Sequence, residues 1–230
     1  MFWEEDKQNT ESFKVPEDIV DLRFKLKCHS LPIDHAQALS TALIQAMPWM
    51  DEEDQLGIHA IHVAGSSNGW FRPDNQETEV LHLSHRTRLA LRIPQHRLEA
   101  AKKLTGQTLD IAGHSMRIGE SSIKKLSSMT TVFARYMVSE HIDDEAAFLQ
   151  DAYHQLQKLG IKPKKMMSGL TSIVQSESGP LKARTLMVAE LDIDQSIHLQ
   201  QQGLGPGRKL GCGIFIPHKG IEAVTKTHQK

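Results

Sequence analysis

Thirteen histidines are spread along the 230 residues, and a few of them stand where proton transfer is plausible chemistry. His29 and His35 bracket the turn Leu31-Pro32-Ile33-Asp34, between an expected strand and an expected helix. With Asp34 as the N-cap, His35 is the first helical residue. The positive end of a helix attracts phosphate there, and an imidazole titrates near neutral pH. A histidine at that place can act as general acid or base at a phosphodiester, or can simply be a solvated first-turn residue. His59 and His62, and separately His82 and His85, repeat at HxxH spacing. On a strand, residues three apart face opposite sides, so neither pair is expected to share a metal. No cysteine or acid completes a ligand set, and no metal site is expected. His59 or His62 can flank a catalytic cleft or serve its strand structurally. No GxSxG elbow supports a serine nucleophile.

The second concentration of chemistry is the run 203–213, GLGPGRKLGCG. Gly203, Gly205, Gly207, Gly211 and Gly213 permit positive φ and close approach of backbone amides to a ligand. Successive amides form anion-binding nests, and Arg208 and Lys209 add charge. The ligand implied is a polyanionic backbone; the plainer alternative is a helix C-cap followed by a connector. The run lies between an expected helix and an expected strand. Phosphate loops of nucleotide-binding folds run in the opposite order, and neither GxGxxG nor GxxxxGK[ST] fits, so no nucleotide or other cofactor is expected. Arg86, Arg88 and Arg92 fall on one face of an expected strand, and Lys162, Lys164 and Lys165 cluster later. Together with the glycine run they point to a nucleic-acid groove.

Composition bounds these readings. The net charge of −1 conceals a basic stretch over 86–125 and acidic runs at the N-terminus and at Asp51-Glu52-Glu53-Asp54. Aromatic residues make up 5% of the chain, so extensive base stacking is not the expected binding mode. Two distant cysteines, Cys28 and Cys212, exclude a zinc ribbon and argue against a disulfide framework. The opening residues are acidic, unlike a signal peptide, and no apolar run has membrane-spanning length, so a cytoplasmic location is expected.

The elements that must position these residues can be read from periodicity. Residues 19–28 alternate as a half-buried strand, and 34–47 carry a helical apolar stripe ended by Pro48. Strands are expected at Gly57–Val63, Glu79–Leu83 and 86–93, with a loop at Gly65–Gly69. A helix opens at Pro94, and strands flank Gly113 over 108–118. The second half repeats the order: strand 131–138, a helix capped by Asp143, strands 164–174 and 183–191, a helix capped by Asp194, and a last strand Gly213–Ile216. The expected fold is α+β, two tandem ferredoxin-like (RRM-like) βαββαβ units. The expected limits are a tail at 1–17, domains at 18–126 and 127–220, and a tail at 221–230.

The C-terminal GLGPGRKLGCGIFIPHKG (203–220) resembles the glycine-rich loop of the CRISPR-associated repeat-processing endoribonucleases. LPIDHAQALSTAL (31–43) resembles the turn and first helix where that family often carries a catalytic histidine, and GIHAIH (57–62) and LRIP (91–94) are similar to the MYXAN-type subtype. The resemblance spans about Asp18 to Lys219. It implies metal-independent cleavage of precursor CRISPR RNA within each repeat, by 2′-OH attack, leaving 2′,3′-cyclic phosphate and 5′-OH ends. His35 is then the matching catalytic residue, with His29 and His59 as candidate partners, and the glycine loop holds RNA backbone. The partners implied are precursor and mature guide RNA and other subunits of a CRISPR effector complex. Two other classes stay open: a non-cleaving guide-RNA-binding subunit, and a ferredoxin-like protein binding a small metabolite.

Overall fold

The computed structural model describes residues 14–62 and 80–218. Most of the expected N-terminal tail, the C-terminal tail, the Gly65–Gly69 loop, Val63 and Glu79 lie outside them. The fold is α+β. Among the described residues no helix is long and apolar enough to cross a membrane.

The first half runs β1 (Ile19–Lys27), β2 (Ser30–Pro32), α1 (Ala36–Ala46), α2 (Trp49–Glu52), β3 (Gly57–Ile58), β4 (Val80–His82), β5 (Arg88–Pro94), α3 (Leu98–Lys102), β6 (Thr108–Ile111) and β7 (His114–Lys124). Its main sheet is antiparallel, in the order β3-β5-β1-β7-β6. Alternation on β1 sends Val20, Leu22 and Phe24 into a core shared with Leu39 and Leu43 of α1 and Ala101 of α3. The opposite face carries Asp21 beside Arg92 and Lys124, and Arg23 beside Ala90 and Ser122. The helix at 34–47 begins one residue later than expected. His35, not Asp34, is the N-cap, and its side chain makes no capping bond. Its ring is turned back to the carbonyls of Pro32 and Ile33 instead.

The second half runs β8 (Val132–Val138), α4 (Glu145–Lys158), β9 (Lys165–Val174), β10 (Leu181–Ala189), α5 (Ile193–Gln202) and β11 (Ile216–Pro217), with sheet order β11-β8-β10-β9. Ala134, Leu186 and Val188 pack under Phe148, Ala152 and Leu156 of α4. Asp144, rather than Asp143, caps α4 and accepts from the Ala147 amide at 3.1 Å. Asp192, rather than Asp194, precedes α5. The last strand is Ile216–Pro217 rather than Gly213–Ile216, and Gly213, at φ +64°, lies outside it.

The halves meet in a seam. Tyr136, Val174, Ala183 and Cys212 of the second half are buried there, with Ala36 and Ala60 of the first packed against them. Arg92 clamps the seam: it is 1% exposed, holds Asp21 through two bonds of 2.8 and 3.1 Å, and donates to Gln200 O and Phe215 O. The Gln200 side chain bonds both the amide and the carbonyl of Ser127, and Ser196 donates to Met129 O, so α5 also fixes the connection between halves.

Candidate active site

Strand β3 stops at Ile58, and the next four residues follow an irregular path. Three contacts set that path. The His59 amide donates to Ala90 O at 3.0 Å, the Ile61 amide donates to His35 Nε2 at 3.1 Å, and the backbone of Gly211 lies against Ala60. A Cβ on Gly211 would stand 3.0 Å from the Ala60 nitrogen, which explains a glycine at that position. The expectation that His59 and His62 face opposite sides of a strand is therefore overturned: the segment is not a strand there, and both side chains line one open cleft. Arg23, Arg86, Arg88 and Lys124 line the same cleft. A smaller, less open pocket adjoins it, formed by His35, Ile61, His62, Tyr136, Ile173 and Leu210 among others. The His62 and Tyr136 rings are 5.9 Å apart at the boundary of the two.

The candidate catalytic histidines occupy three different settings. His35 is 3% exposed. Its Nδ1–H faces Pro32 O at 2.9 Å and Ile33 O at 3.1 Å, and its Nε2 accepts from Ile61, which fixes a neutral tautomer. The expectation of an accessible first-turn histidine is corrected by this packing. His59 reaches Asp21 Oδ1 through Nε2 at 3.2 Å. Burial lowers its pKa against the opposing pull of the Asp21 carboxylate. Burial alone pushes the Asp21 carboxyl up, but the Arg92 charge and then His59 outweigh it and hold Asp21 well below the usual carboxylate range. His29 is exposed and belongs to neither concavity; its ring stands edge-on to His82, 6.1 Å away.

The glycine run is packed at its two ends, where Gly203, Leu204, Cys212 and Gly213 are buried, and open in its middle, where Gly205 and Pro206 are exposed and line a concavity with Gly207 to Leu210. Gly203, Gly205, Gly207, Gly211 and Gly213 all have positive φ. Yet the amides of Gly203, Leu204, Leu210, Gly211, Cys212 and Gly213 donate to Leu199, Gly213, Gly207, Arg208, Gly207 and Tyr136 carbonyls respectively. A nest aimed at a ligand needs those amides free. Arg208 donates to Gln201 O, Gln202 O and Gln55 O, capping α5 and joining it to the first half. Burial pushes its guanidinium pKa down to about 10, with Arg92 nearby adding to the effect. Lys209 reaches the Asp51 backbone carbonyl and carboxylate. The expected backbone-binding roles of Arg92, Arg208 and Lys209 thus meet side chains already committed within the protein. Arg86 is exposed at the cleft; Arg88 gives one nitrogen to His85 O and Thr87 O and still lines the cleft. Cys212 is buried at the seam, which pushes its thiol up to about 12 and makes it a poor nucleophile.

A family model described as "Cas6 Crispr" matches residues 20–220. The chain belongs to the Cas6 family of CRISPR-associated endonucleases. The CRISPR-associated endonuclease Cas6 of Myxococcus xanthus (strain DK1622) is 31% identical over 211 residues, 92% of this chain and 86% of that protein. Among solved structures, a CRISPR-associated protein Cas6 superposes with TM-score 0.62 at 10% identity, over 87% of this chain and 100% of that one. An RAMP protein binding different RNA substrates gives 0.61 at 12%, over 87% and 100%. A Cas6-related protein of Pyrococcus furiosus gives 0.59 at 11%, over 86% and 97%. At these identities the structural likenesses establish the fold.

In this Cas6 protein the residues that sequence reasoning did not place at a site are Tyr136, Arg23 and Lys124. Arg23 and Lys124 are legible only as polar positions of alternating strands; the register that sets both near Asp21 is long-range. Tyr136 reads simply as a strand residue. His62, which the sequence marks with His59 as able to flank a cleft, is brought there by the early end of β3.

Proposed function

We propose that this Cas6 protein cleaves precursor CRISPR RNA within its repeats without a metal, by attack of a ribose 2′-OH on the adjacent phosphate. The products are a 2′,3′-cyclic phosphate and a 5′-OH. One observation carries the reading: His59 and His62 share a cleft with Arg23, Arg86, Arg88 and Lys124 at the seam of the two halves. Internal attack needs a proton acceptor at the 2′-OH, a proton donor at the leaving 5′-oxygen and cations around the charge that builds on phosphorus. An imidazole and guanidinium groups supply these functions without a cofactor.

The two halves are read as tandem ferredoxin-like units, at 18–126 and 127–220. The strand-helix-strand-strand-helix-strand order of β8 to β11 and the sheet order β11-β8-β10-β9 support this, as does β3-β5-β1-β7 in the first half. The ligand is repeat RNA, held by phosphate contacts and shape more than by base stacking. After cleavage the same cations can retain the mature guide RNA for an effector complex.

The test is incubation of the purified protein with repeat RNA from the CRISPR array of the same genome, in excess chelator, with analysis of the ends. Cleavage with cyclic-phosphate ends is expected, and a single 2′-deoxy substitution 5′ of the scissile phosphate should abolish it. Cleavage of the deoxy RNA would reject internal attack. Binding without any cleavage would make the protein a guide-RNA-binding subunit.

A further inference from the structure

Resting on that reading, we infer that unpaired bases of the RNA lie on the face of the second sheet turned away from α4 and α5, on a row made by Ile216, Phe133, Met187 and Met167. The register sets these four directly opposite one another, one on each of β11, β8, β10 and β9. Residues paired in this way present their side chains to the same face. Ala134, Leu186 and Val188, which alternate with Phe133 and Met187, are the ones packed under α4, so the row occupies the opposite face. It crosses the whole sheet, about 14 Å over three strand spacings. None of the four is buried, Met167 is 52% exposed, and none belongs to a core cluster of the described residues.

What surrounds the row identifies its occupant. One end belongs to the cleft, which Ile216 lines together with Arg23, Arg86, Arg88 and Lys124 of the first half. The other end is basic as well. Lys165 stands two residues from Met167 on β9, hence on the same face, and Lys162 and Lys164 precede it; all three are exposed. Beside the row the Arg135 guanidinium lies 5.2 Å from the Phe133 ring centroid, and His218 meets that ring edge-on at 5.4 Å. The same-face neighbours along the strands, Arg135, Thr185, Ala189 and Lys165, include no acid. A single RNA strand presents charged phosphates and flat apolar bases, and an apolar strip with cations at both ends answers both. The low aromatic content is no bar, because one ring and two polarisable thioethers make the row. Every base has a stacking face, so the surface selects unpaired bases over paired ones rather than one base over another. A standard protein interface needs about 800 Å² on each side with charge depleted from its centre, which four partly exposed side chains bounded by cations do not supply.

The experiment measures the affinity of the full chain for repeat RNA from the array of the same genome, and for that RNA annealed to its complement, over a range of salt, with circular dichroism for every variant. Phe133→Ala should bind the single strand about 5- to 150-fold more weakly, the loss expected for one stacked base, with the salt slope unchanged. Met167→Ser, at an exposed position outside the core, should weaken it in the same direction by a few-fold, and Phe133→Trp should bind at least as well as wild type. The duplex should be bound equally by all of them. Tyr153→Ala, which removes an exposed ring from α4 on the other side of the sheet, should change nothing. Wild-type affinity of folded Phe133→Ala and Met167→Ser for the single strand overturns the inference, and so does an equal loss for the duplex. A wild-type self-association that Met167→Ser abolishes, with RNA affinity unchanged, would give the row to a second copy of the chain and overturn it too. If the wild-type protein binds no repeat RNA, the RNA reading itself falls, an outcome told apart because it appears before any substitution is made.

Discussion

Two groups of cations in this Cas6 protein look alike in sequence and differ in employment. Arg92 and Arg208 are turned inward, and Lys209 reaches across the surface to Asp51: their nitrogens go to the Asp21 carboxylate and to carbonyls of Gln200, Phe215, Gln201, Gln202, Gln55 and Asp51. Arg23, Arg86, Arg88 and Lys124 face an open cleft. The first group crosslinks the halves, and the second is placed to meet an anion. The difference lies in backbone carbonyls. Helix C-termini and broken strands leave carbonyls that need donors, and a nearby guanidinium supplies several at once. A glycine-rich, basic loop can thus be a clasp whose cations are consumed by its own fold.

The sharpest way to break this contrast is to remove the centre of the clasp. Arg92→Met leaves the Asp21 carboxylate buried without its cation, and loss of one partner of a buried pair costs about 3–5 kcal/mol. Urea unfolding should show a loss of that size, and Asp21→Asn combined with Arg92→Met should recover part of it. A cost below about 1 kcal/mol would mean that Arg92 does not bind the halves together.

A smaller effect separates the clamp from the cleft by pH. His59 has a lowered pKa in the folded protein, so the unfolded chain binds its proton more readily once pH falls through the ordinary value of 6.5. Stability from His59 is therefore present above that value and is lost on acidification. Asp21, held below its ordinary 3.8, gives a loss of the same sign at lower pH. His59→Gln should flatten the fall in Tm between about pH 7.5 and 5.5. Because every other titratable group is common to both proteins, the difference between the two curves isolates His59. Parallel curves would remove it from the clamp.

Much of the frame was legible in the sequence because alternation and helical periodicity are local signals. Strand β1, the stripe of α1 and the element order of the second half follow from residues close in the chain. Helix starts shifted: α4 and α5 each have two aspartates near the start, α1 begins after His35 rather than Asp34, and α3 begins at Leu98 because Pro94 ends β5 instead of opening the helix. The site was less legible for a specific reason. Whether His35 is accessible depends on Ile61, and whether Arg208 is free depends on Gln55, 153 positions away. Composition and spacing mark which residues can do chemistry; long-range packing decides which of them are left free to do it.

The smallest expected effect tests the contrast most directly. A cation that contacts phosphate releases a counterion on binding, so its removal lowers the slope of log affinity against log salt by about 0.7 for single-stranded RNA. At 0.15 M salt that slope corresponds to roughly a fourfold loss of affinity per contact. Arg86→Gln should show this change with unfolding unaffected, because Arg86 is exposed at the cleft rather than tied into the seam. Arg208→Gln should behave in the opposite way. It removes donors from the end of α5 and from Gln55, so stability should fall, while the salt slope of the folded protein stays near the wild-type value. The two variants carry the same substitution and the same change in charge. If both reduced the slope equally, net charge alone would govern RNA binding and the division into clasp and cleft would fail. If Arg208→Gln alone reduced it, the glycine run would be the RNA-contacting surface and its carbonyl bonds would have to give way when RNA arrives.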